Sequence, residues 1–240
     1  MNRQDSRVFD DPEGDVSMKH SLLATAAFAA LSLVVGIAHA QSAGQALVKI
    51  GFGNVSPQVR SSDLPAPAPP NSQIDFGSSH ALIVSAGYMF TDNWSWEFLA
   101  GLPYDFDVRG AGAIASAGSL GNVHASLPTA MLQYRFLPAW WRVRPYVGAG
   151  LTYGYFYNTT GSAALTALFN AGGKAVTIGS DRSVGVSSQA GLTVKVTEQW
   201  YVDAAVMKTF ISSSLPLSTG QSLSARLNPV SASVAVGYRF

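Results

Sequence analysis

The sequence V-S-A-S-V-A-V-G-Y-R-F, from Val230 to Phe240, stands at the carboxyl end of the chain and predicts its fold. Apolar side chains occupy every second position and lead to Tyr238 and Phe240, whereas the positions between them are small or polar. This period predicts a β-strand with one face on an apolar medium and the other on surroundings that tolerate polar groups. About ten residues is also the length of a tilted strand that crosses a bilayer. An aromatic last residue is what we expect of a bacterial outer-membrane barrel, with this strand as the contact for the barrel-assembly machinery. An edge strand of a soluble β-sandwich has the same period, so the rest of the chain must separate the two folds.

The composition favours a membrane protein. Only 12% of the 240 residues are charged and 48% are hydrophobic, whereas roughly a quarter of a soluble domain is charged. The formal net charge of +1 does not indicate a nucleic-acid partner. The chain has no cysteine, which excludes disulfides and thiolate chemistry, and no cofactor motif is present. A barrel closed by backbone hydrogen bonds requires none of these groups.

The amino-terminal region predicts export. Met18-Lys-His20 precedes an apolar run from Leu22 to Ile37, and Ala38-His-Ala40 supplies a small-x-small cleavage site. Residues 18–40 are therefore predicted to be a signal peptide cut after Ala40. A membrane-spanning helix would need about 20 apolar residues, and this run is shorter. Residues 1–17 carry five acidic side chains and do not resemble the start of a signal peptide, so we expect a non-native extension before a true start at Met18. The barrel domain would then be residues 41–240.

Eight strand-like segments follow, and the connections between them alternate between long and short. The predicted strands are residues 46–55, 81–90, 94–102, 127–136, 144–157, 183–196, 200–211 and 230–240. The predicted long loops are residues 56–79, 103–125, 158–182 and 212–225. The first of these loops is Pro-rich from Leu64 to Pro70 and is not expected to join a ladder, and a short helix is expected over residues 162–170 in the third. With antiparallel strands, all short turns lie at one end and all long loops at the other. The sequence thus predicts an all-β fold, an eight-stranded antiparallel transmembrane β-barrel with short periplasmic turns and long external loops.

Aromatic residues support this orientation, because they cluster beside the short turns, where a membrane-interface girdle is expected. A soluble sandwich explains neither the girdle nor the alternation of connections. The girdle residues are predicted to be Trp94, Trp96, Tyr134, Phe136, Trp200, Tyr238 and Phe240.

Several stretches, distributed over nearly the whole of residues 41–240, resemble the outer membrane protein W (OmpW) family of eight-stranded barrels. They are Tyr88–Tyr104, Leu127-Pro128 leading to Tyr134-Arg-Phe136, Arg144–Tyr153, Trp200–Val206 and Asn228–Phe240. The resemblance implies a narrow barrel in outer-membrane lipid, with an apolar lumen that admits small hydrophobic molecules and releases them sideways into the membrane. The first two long loops do not match the family residue by residue.

The inward positions predict a lumen with two parts. An apolar section contains Leu99, Met131 and Met207. Below it, charged residues near the short turns are predicted to pair and form a polar floor, because unpaired charges in a narrow barrel are costly. The floor residues are predicted to be Lys49, Glu97, Arg135, Lys195, Asp203 and Arg239. An apolar funnel above a charged floor suits a hydrophobic solute better than an ion. Alternatively, the charges only stabilise a filled lumen that transports nothing.

The sequence bears on two other classes of function, an enzyme and a structural or adhesive barrel. His124-Ala-Ser126 is similar to the His-x-Ser spacing of the lipid A deacylase, another outer-membrane barrel. A serine nucleophile needs a base and a third group that orients the base, and no acidic residue follows in the fourth strand, its turn or the next strand. We therefore expect no catalytic residues and no enzyme. A structural or adhesive barrel remains the other alternative.

Overall fold

The computed structural model describes residues 42–240; the predicted extension (1–17) and signal peptide (18–40) lie outside the described residues. Within this part of the chain, no helix is long and apolar enough to cross a membrane. The strands are β1 (Ala46–Ser56), β2 (Arg60–Ser61), β3 (Ser72–Phe76), β4 (Ser79–Met89), β5 (Trp94–Gly101), β6 (Tyr104–Gly112), β7 (Ser119–Ser126), β8 (Thr129–Arg135), β9 (Val143–Gly161), β10 (Asp181–Lys195), β11 (Trp200–Phe210), β12 (Ser212–Pro216), β13 (Ser222–Arg226) and β14 (Val230–Arg239). One α-helix, α1 (Ala163–Phe169), and a 3₁₀ turn (Ala115–Ala117) complete the described elements.

Eight of these strands form a closed antiparallel barrel in the order β1, β4, β5, β8, β9, β10, β11 and β14, with β14 paired back to β1. Closure gives the strand backbones hydrogen-bond partners on both sides, which a bilayer requires. The predicted eight-stranded barrel is confirmed.

The stretch from Val230 to Arg239 is the strand that closes the ring. Tyr238 lies opposite Val48 of β1 and opposite Trp200 of β11. Val234 and Val236 on the outer face are 61% and 47% exposed, whereas Arg239 on the inner face is buried. The two-residue period therefore reports the lipid-facing and lumen-facing sides directly.

Three predictions of long loops were wrong, because these connections contain strands. Residues 56–79 include β2 and β3, residues 103–125 form the hairpin of β6 and β7, and residues 212–225 contain most of the hairpin of β12 and β13. The Pro-rich part ends at Pro70, just before β3. In β6, Tyr104-Asp-Phe-Asp-Val108 has the alternation of a strand, which the neighbouring Gly and Ala residues obscured.

The third long connection agrees better with the sequence. The predicted helix over residues 162–170 is confirmed as α1, and Ser162 caps it by accepting a hydrogen bond at Oγ from the Leu165 backbone N–H (3.2 Å). Strand β9 continues to Gly161, four residues beyond its predicted end. Its upper part pairs with β7, so the wall extends above the barrel on this side.

A hydrophobic cluster lies inside this external extension. It is formed by buried side chains from the hairpins, from α1 and from the upper ends of the barrel strands. Its members include Val55, Ile74, Phe76, Phe106, Val108, Phe156, Leu165, Phe169, Ile211, Leu215 and Leu227. The lumen therefore meets an apolar interior at its external end.

Candidate functional site

The floor of the lumen is centred on one lysine shared by two carboxylates. Lys49 projects from β1, Glu97 from β5 and Asp203 from β11. Lys49 Nζ lies 2.7 Å from Glu97 Oε1 and 3.0 Å from Asp203 Oδ1. All three side chains are buried. Three strands that are distant in sequence are thus joined by an ion-pair cluster in a site of low dielectric, where unpaired charges would be costly.

Neutral polar side chains add hydrogen bonds to the same cluster. Asp203 accepts hydrogen bonds from Tyr146 Oη at Oδ1 and from Thr193 Oγ1 at Oδ2, both at 3.0 Å. Gln133 donates through Nε2 to Glu97 Oε2 and to Gln189 Oε1, the latter at 2.9 Å. Because most of the available lone pairs have donors, the cluster acts as a rigid network.

A second layer, of arginines, lies below it. Arg135 donates to Ser95 Oγ and, at 3.1 Å, to Gln133 Oε1, and its guanidinium stacks 5.2 Å from the centroid of the Tyr146 ring. Arg239 stacks 5.1 Å from the Tyr201 ring centroid. Stacking of this kind allows a guanidinium to be buried beside an aromatic face.

Arg144 connects the floor to the periplasmic turns. Its Nη2 donates to the backbone carbonyl of Asp92 at 2.6 Å and to that of Leu137 at 3.0 Å, and the side chain is buried. One arginine therefore ties together the turns after β4 and after β8 at the periplasmic end.

Two cross-strand glycines make room for the tyrosines of the floor. Gly191 lies directly opposite Tyr146, and Gly237 lies opposite Tyr201. A Cβ on Gly191 would come within 2.3 Å of the Tyr146 ring, and one on Gly237 within 2.1 Å of the Tyr201 ring. Each ring thus occupies the space that a side chain would need at the facing glycine. Any side chain at that position would displace the ring.

The structure brings together five of the six residues predicted for the floor. Lys49, Glu97 and Asp203 are in direct contact, and Arg135 and Arg239 lie beside them. The prediction for Lys195 requires correction: its half-buried side chain pairs through Nζ with Oε1 of the exposed Glu198 at 2.7 Å, beside a periplasmic turn. The residues that the sequence did not identify include Gln133, Tyr146, Thr193, Tyr201 and Arg144; their inward parity was visible, but their partners depend on strand register.

Above the floor lies a cavity of about 40 Å³, whose lining includes Leu99 and Met207 together with Lys49, Glu97 and Asp203. Met131, the third residue predicted for the apolar lumen, is buried in the wall against Gly148 and Gly150. A second, entirely apolar cavity of about 20 Å³ lies further toward the external end. Val55 and Leu127 line both cavities, so these two side chains form the constriction between them.

The barrel wall is interrupted beside this constriction. Pairing of β5 with β8 ends at Leu99 opposite Thr129, and pairing of β6 with β7 begins only at Tyr104 opposite Ala125. In the described chain, no backbone hydrogen bond joins residues 100–103 to residues 126–128. Pro103 and Pro128 stand in these segments, where proline supplies no backbone N–H.

Each segment keeps its bond to the strand on its other side. Leu102 N donates to Leu82 O, and Tyr153 N donates to Pro128 O, both at 2.9 Å. The two segments are therefore unpaired with each other, while each stays hydrogen-bonded to the strand on its other side. Leu99, Tyr104 and Leu127 line the larger cavity, so the cavity reaches this gap.

The predicted aromatic girdle lies on the outer face beside the short turns. Trp94 and Tyr134 have ring centroids 5.0 Å apart, and Trp200 and Tyr238 have the same spacing. The rings form edge-to-face pairs across neighbouring strands, an arrangement that such pairs favour. The exposed members are Trp94, Trp96, Phe136, Trp200 and Phe240, with Tyr134 and Tyr238 half-buried.

His124 has an acidic neighbour, contrary to the expectation from sequence. Asp105 lies opposite it across the β6–β7 hairpin, and Asp105 Oδ1 is in close contact with His124 Nδ1. The hairpin was not predicted, so this partner was missed. No hydrogen bond joins Ser126 to His124 in residues 42–240, so the serine lacks the contact that a nucleophile needs. The same residues contain no group of three or more His, Cys, Asp or Glu that could hold a metal ion.

Comparison with known proteins agrees with this geometry. The sequence model of the OmpW family matches residues 42–240. Outer membrane protein W of Vibrio cholerae serotype O1 is 31% identical over 227 residues, which cover 93% of this chain and 100% of that protein. The crystal structure of the outer membrane protein OprG from Pseudomonas aeruginosa superposes with a TM-score of 0.72 at 23% identity, covering 84% of this chain and 99% of OprG. The solid-state NMR structure of the outer membrane protein AlkL in DMPC bilayers gives a TM-score of 0.63 at 20% identity, with 86% and 95% covered.

Proposed function

This chain belongs to the OmpW family of Gram-negative outer-membrane barrels, and from that premise we propose that it passes small hydrophobic molecules from its external end into the membrane through the gap between residues 100–103 and 126–128. The observation that carries this proposal is that the constriction at Val55 and Leu127 lies below an apolar cavity and beside an unpaired stretch of wall. The floor lies directly below the constriction.

The polarity of the lumen supports an apolar solute. The second cavity, nearer the external end, is lined only by apolar and proline side chains, among them Phe76, Phe106 and Phe156. The floor below presents Lys49, Glu97 and Asp203 bound to one another. The free energy of a hydrophobic solute is lowered in the second cavity, whereas contact with the buried charges of the floor raises it.

The gap supports lateral release. Below the constriction lie the ion-paired floor and Arg144, whereas the wall at residues 100–103 lacks backbone hydrogen bonds to the facing segment. Its outer lip carries Leu102, which is 60% exposed on the lipid-facing side. A solute at the constriction thus meets buried charges below it and an unpaired stretch of wall beside it.

The proposal is tested by placing a charge at the constriction. The variant Leu127→Arg would put a guanidinium between the two cavities, and the matched control Ala171→Arg would add the same charge on the exposed loop after α1. We expect naphthalene uptake into cells that express Leu127→Arg to fall at least about tenfold. An apolar solute that passes the guanidinium removes water from the charge, and this desolvation is costly.

The control should retain uptake, and circular dichroism should show that both variants fold. Equal uptake by a folded Leu127→Arg variant would overturn the proposal and favour a structural or adhesive barrel.

A further inference from the structure

A small sheet outside the barrel ring has two chemically different faces. Strands β12, β13 and β2 pair in that order. Leu215 and Ala225 on its inner face are buried in the external hydrophobic cluster. Its outer face carries no large apolar side chain in the described residues and presents serines and two arginines.

The two arginines lie directly opposite each other. Arg60 of β2 pairs in register with Arg226 of β13, and both side chains are exposed. Like charges at directly opposite positions of an antiparallel pair are destabilising. Neither guanidinium has an ion-pair partner in residues 42–240, so the chain itself does not balance this pair of charges.

A third cation and several hydroxyl groups surround the pair. Lys208 lies on the outer face of β11 and donates to the Asn228 carbonyl at 2.5 Å. It shares with Arg60 and Arg226 the lining of a cleft of about 700 Å³. A neighbouring cleft of about 570 Å³ is also lined by both arginines and by seven serines: Ser61, Ser62, Ser183, Ser212, Ser213, Ser214 and Ser224.

One carboxylate lines each cleft, and each is held by groups other than the arginines. Asp181 Oδ2 accepts hydrogen bonds from Ser213 Oγ (2.7 Å), the Ser214 backbone N–H (2.8 Å) and Ser183 Oγ (3.2 Å). Asp75 accepts at Oδ1 from the adjacent backbone N–H of Phe76 at 2.8 Å. The arginine pair therefore remains available to an external anion.

The height of the arginine pair relative to the membrane indicates which kind of anion it can meet. Strand β11 runs from Trp200 in the periplasmic girdle to Phe210, which is 55% exposed on the outer face. Ten residues of tilted strand rise roughly 25 Å, the height of the apolar band of such barrels. Arg226 lies opposite Ser212, two residues beyond Phe210, at the level of the headgroups of the outer leaflet.

We propose that Arg60, Arg226 and Lys208 form a site for the phosphate groups of an anionic glycolipid in the outer leaflet. Guanidinium groups bind phosphate oxygens through paired N–H donors, and serine hydroxyls add further donors. A bound phosphate would offset the repulsion between the two arginines. The lipid would also hold the β12–β13 hairpin against the membrane surface.

The test uses the protein as residues 41–240 in uncharged detergent micelles, titrated with fluorescent diphosphoryl lipid A. The variant Arg60→Gln/Arg226→Gln should bind at least about fivefold more weakly than the unaltered protein. The control Lys174→Gln/Arg142→Gln removes the same charge from exposed sites elsewhere and should change binding less than about twofold. Lipid A without its phosphates should bind the unaltered protein and the arginine variant equally.

Thermal unfolding in phosphatidylcholine nanodiscs separates binding from folding. With no anionic lipid present, Arg226→Gln should melt no lower than the unaltered protein, because the substitution relieves a like-charge contact. The proposal is overturned if the double variant binds diphosphoryl lipid A as tightly as the control does. It is also overturned if inorganic phosphate displaces the lipid completely, since the ligand would then be a free anion, or if Arg226→Gln unfolds the barrel in phosphatidylcholine.

Discussion

The periplasmic and external halves of the lumen differ in the polarity of their interior and in the strand pairing of the barrel wall. In the periplasmic half, charged side chains are buried and linked to one another around Lys49, and the strands are fully paired. In the external half, the interior is apolar and the pairing of the wall is interrupted between Leu99 and Tyr104. The polar network links the strands of the periplasmic half through their side chains, whereas the wall of the external half is left unpaired at one place.

The largest effect expected from breaking the floor follows the substitution Lys49→Met. It leaves Glu97 and Asp203 buried without their shared ammonium group, and we expect the free energy of unfolding to fall by about 3–5 kcal/mol. Urea unfolding in lipid vesicles measures this change. Lys195→Met, outside the floor and paired with the exposed Glu198, is the matched control and should lower the free energy of unfolding by less than about 1 kcal/mol. Equal effects of the two substitutions would show that the buried cluster has no special role.

A smaller loss is expected when the packing of the floor is altered without touching a charge. Gly237→Ala would drive a methyl group into the Tyr201 ring and should lower the free energy of unfolding by about 1–3 kcal/mol. Gly77→Ala is the control, since the nearest atom to its new methyl group would be 3.8 Å away. Urea midpoints that are the same for both variants would mean that the tyrosine ring moves aside freely.

The external half should respond weakly to acid. Hydrogen bonds from Ser119 Oγ (2.6 Å) and Arg109 Nε (2.8 Å), together with the charge of Arg109, hold the pKa of Asp107 in the β6–β7 hairpin below its usual range. A lowered folded-state pKa stabilises the hairpin above the unfolded pKa of about 4, and this contribution is lost as the pH falls through the folded value.

Because the Asp107 side chain is partly exposed, solvent screening should keep the contribution below about 1 kcal/mol. Amide hydrogen exchange in β6 and β7 should accelerate below about pH 4, after correction for the intrinsic pH dependence. Asp107→Asn should abolish this acceleration. An acceleration that survives in Asp107→Asn would assign it to another group.

The faces of the strands could be predicted from the sequence because parity is local. Each lipid-facing residue of β14 and each floor residue of β1, β5 and β11 follows from alternation along its own strand. The alternation of long and short connections predicted the barrel, the family resemblance agreed with it, and the closed ring of eight strands confirmed it. Recognition of β14 by the barrel-assembly machinery stays a prediction.

The partners of those residues could not be predicted, because they depend on the register between strands. Tyr146 meets Gly191 and Asp203, which are 45 and 57 residues away in sequence, only after the ring has closed. Asp105 and His124 meet only because residues 103–125 form a hairpin, and composition had indicated a loop there. Lys195 shows the converse: its parity is inward, but its position at the end of β10 gives it Glu198 as a partner instead of the floor.

The most direct test of lateral release is to bridge the gap and measure uptake. Because the chain has no cysteine, the pair Leu102→Cys/Ser126→Cys can be linked selectively across the gap with a short bis-maleimide. The control pair, Leu192→Cys/Ala204→Cys, links two residues that are directly opposite on the outer face of β10 and β11. We predict that linking the gap lowers naphthalene uptake at least about tenfold while binding to the purified barrel is retained, and that linking the control pair changes neither. Undiminished uptake through a linked gap would contradict lateral release.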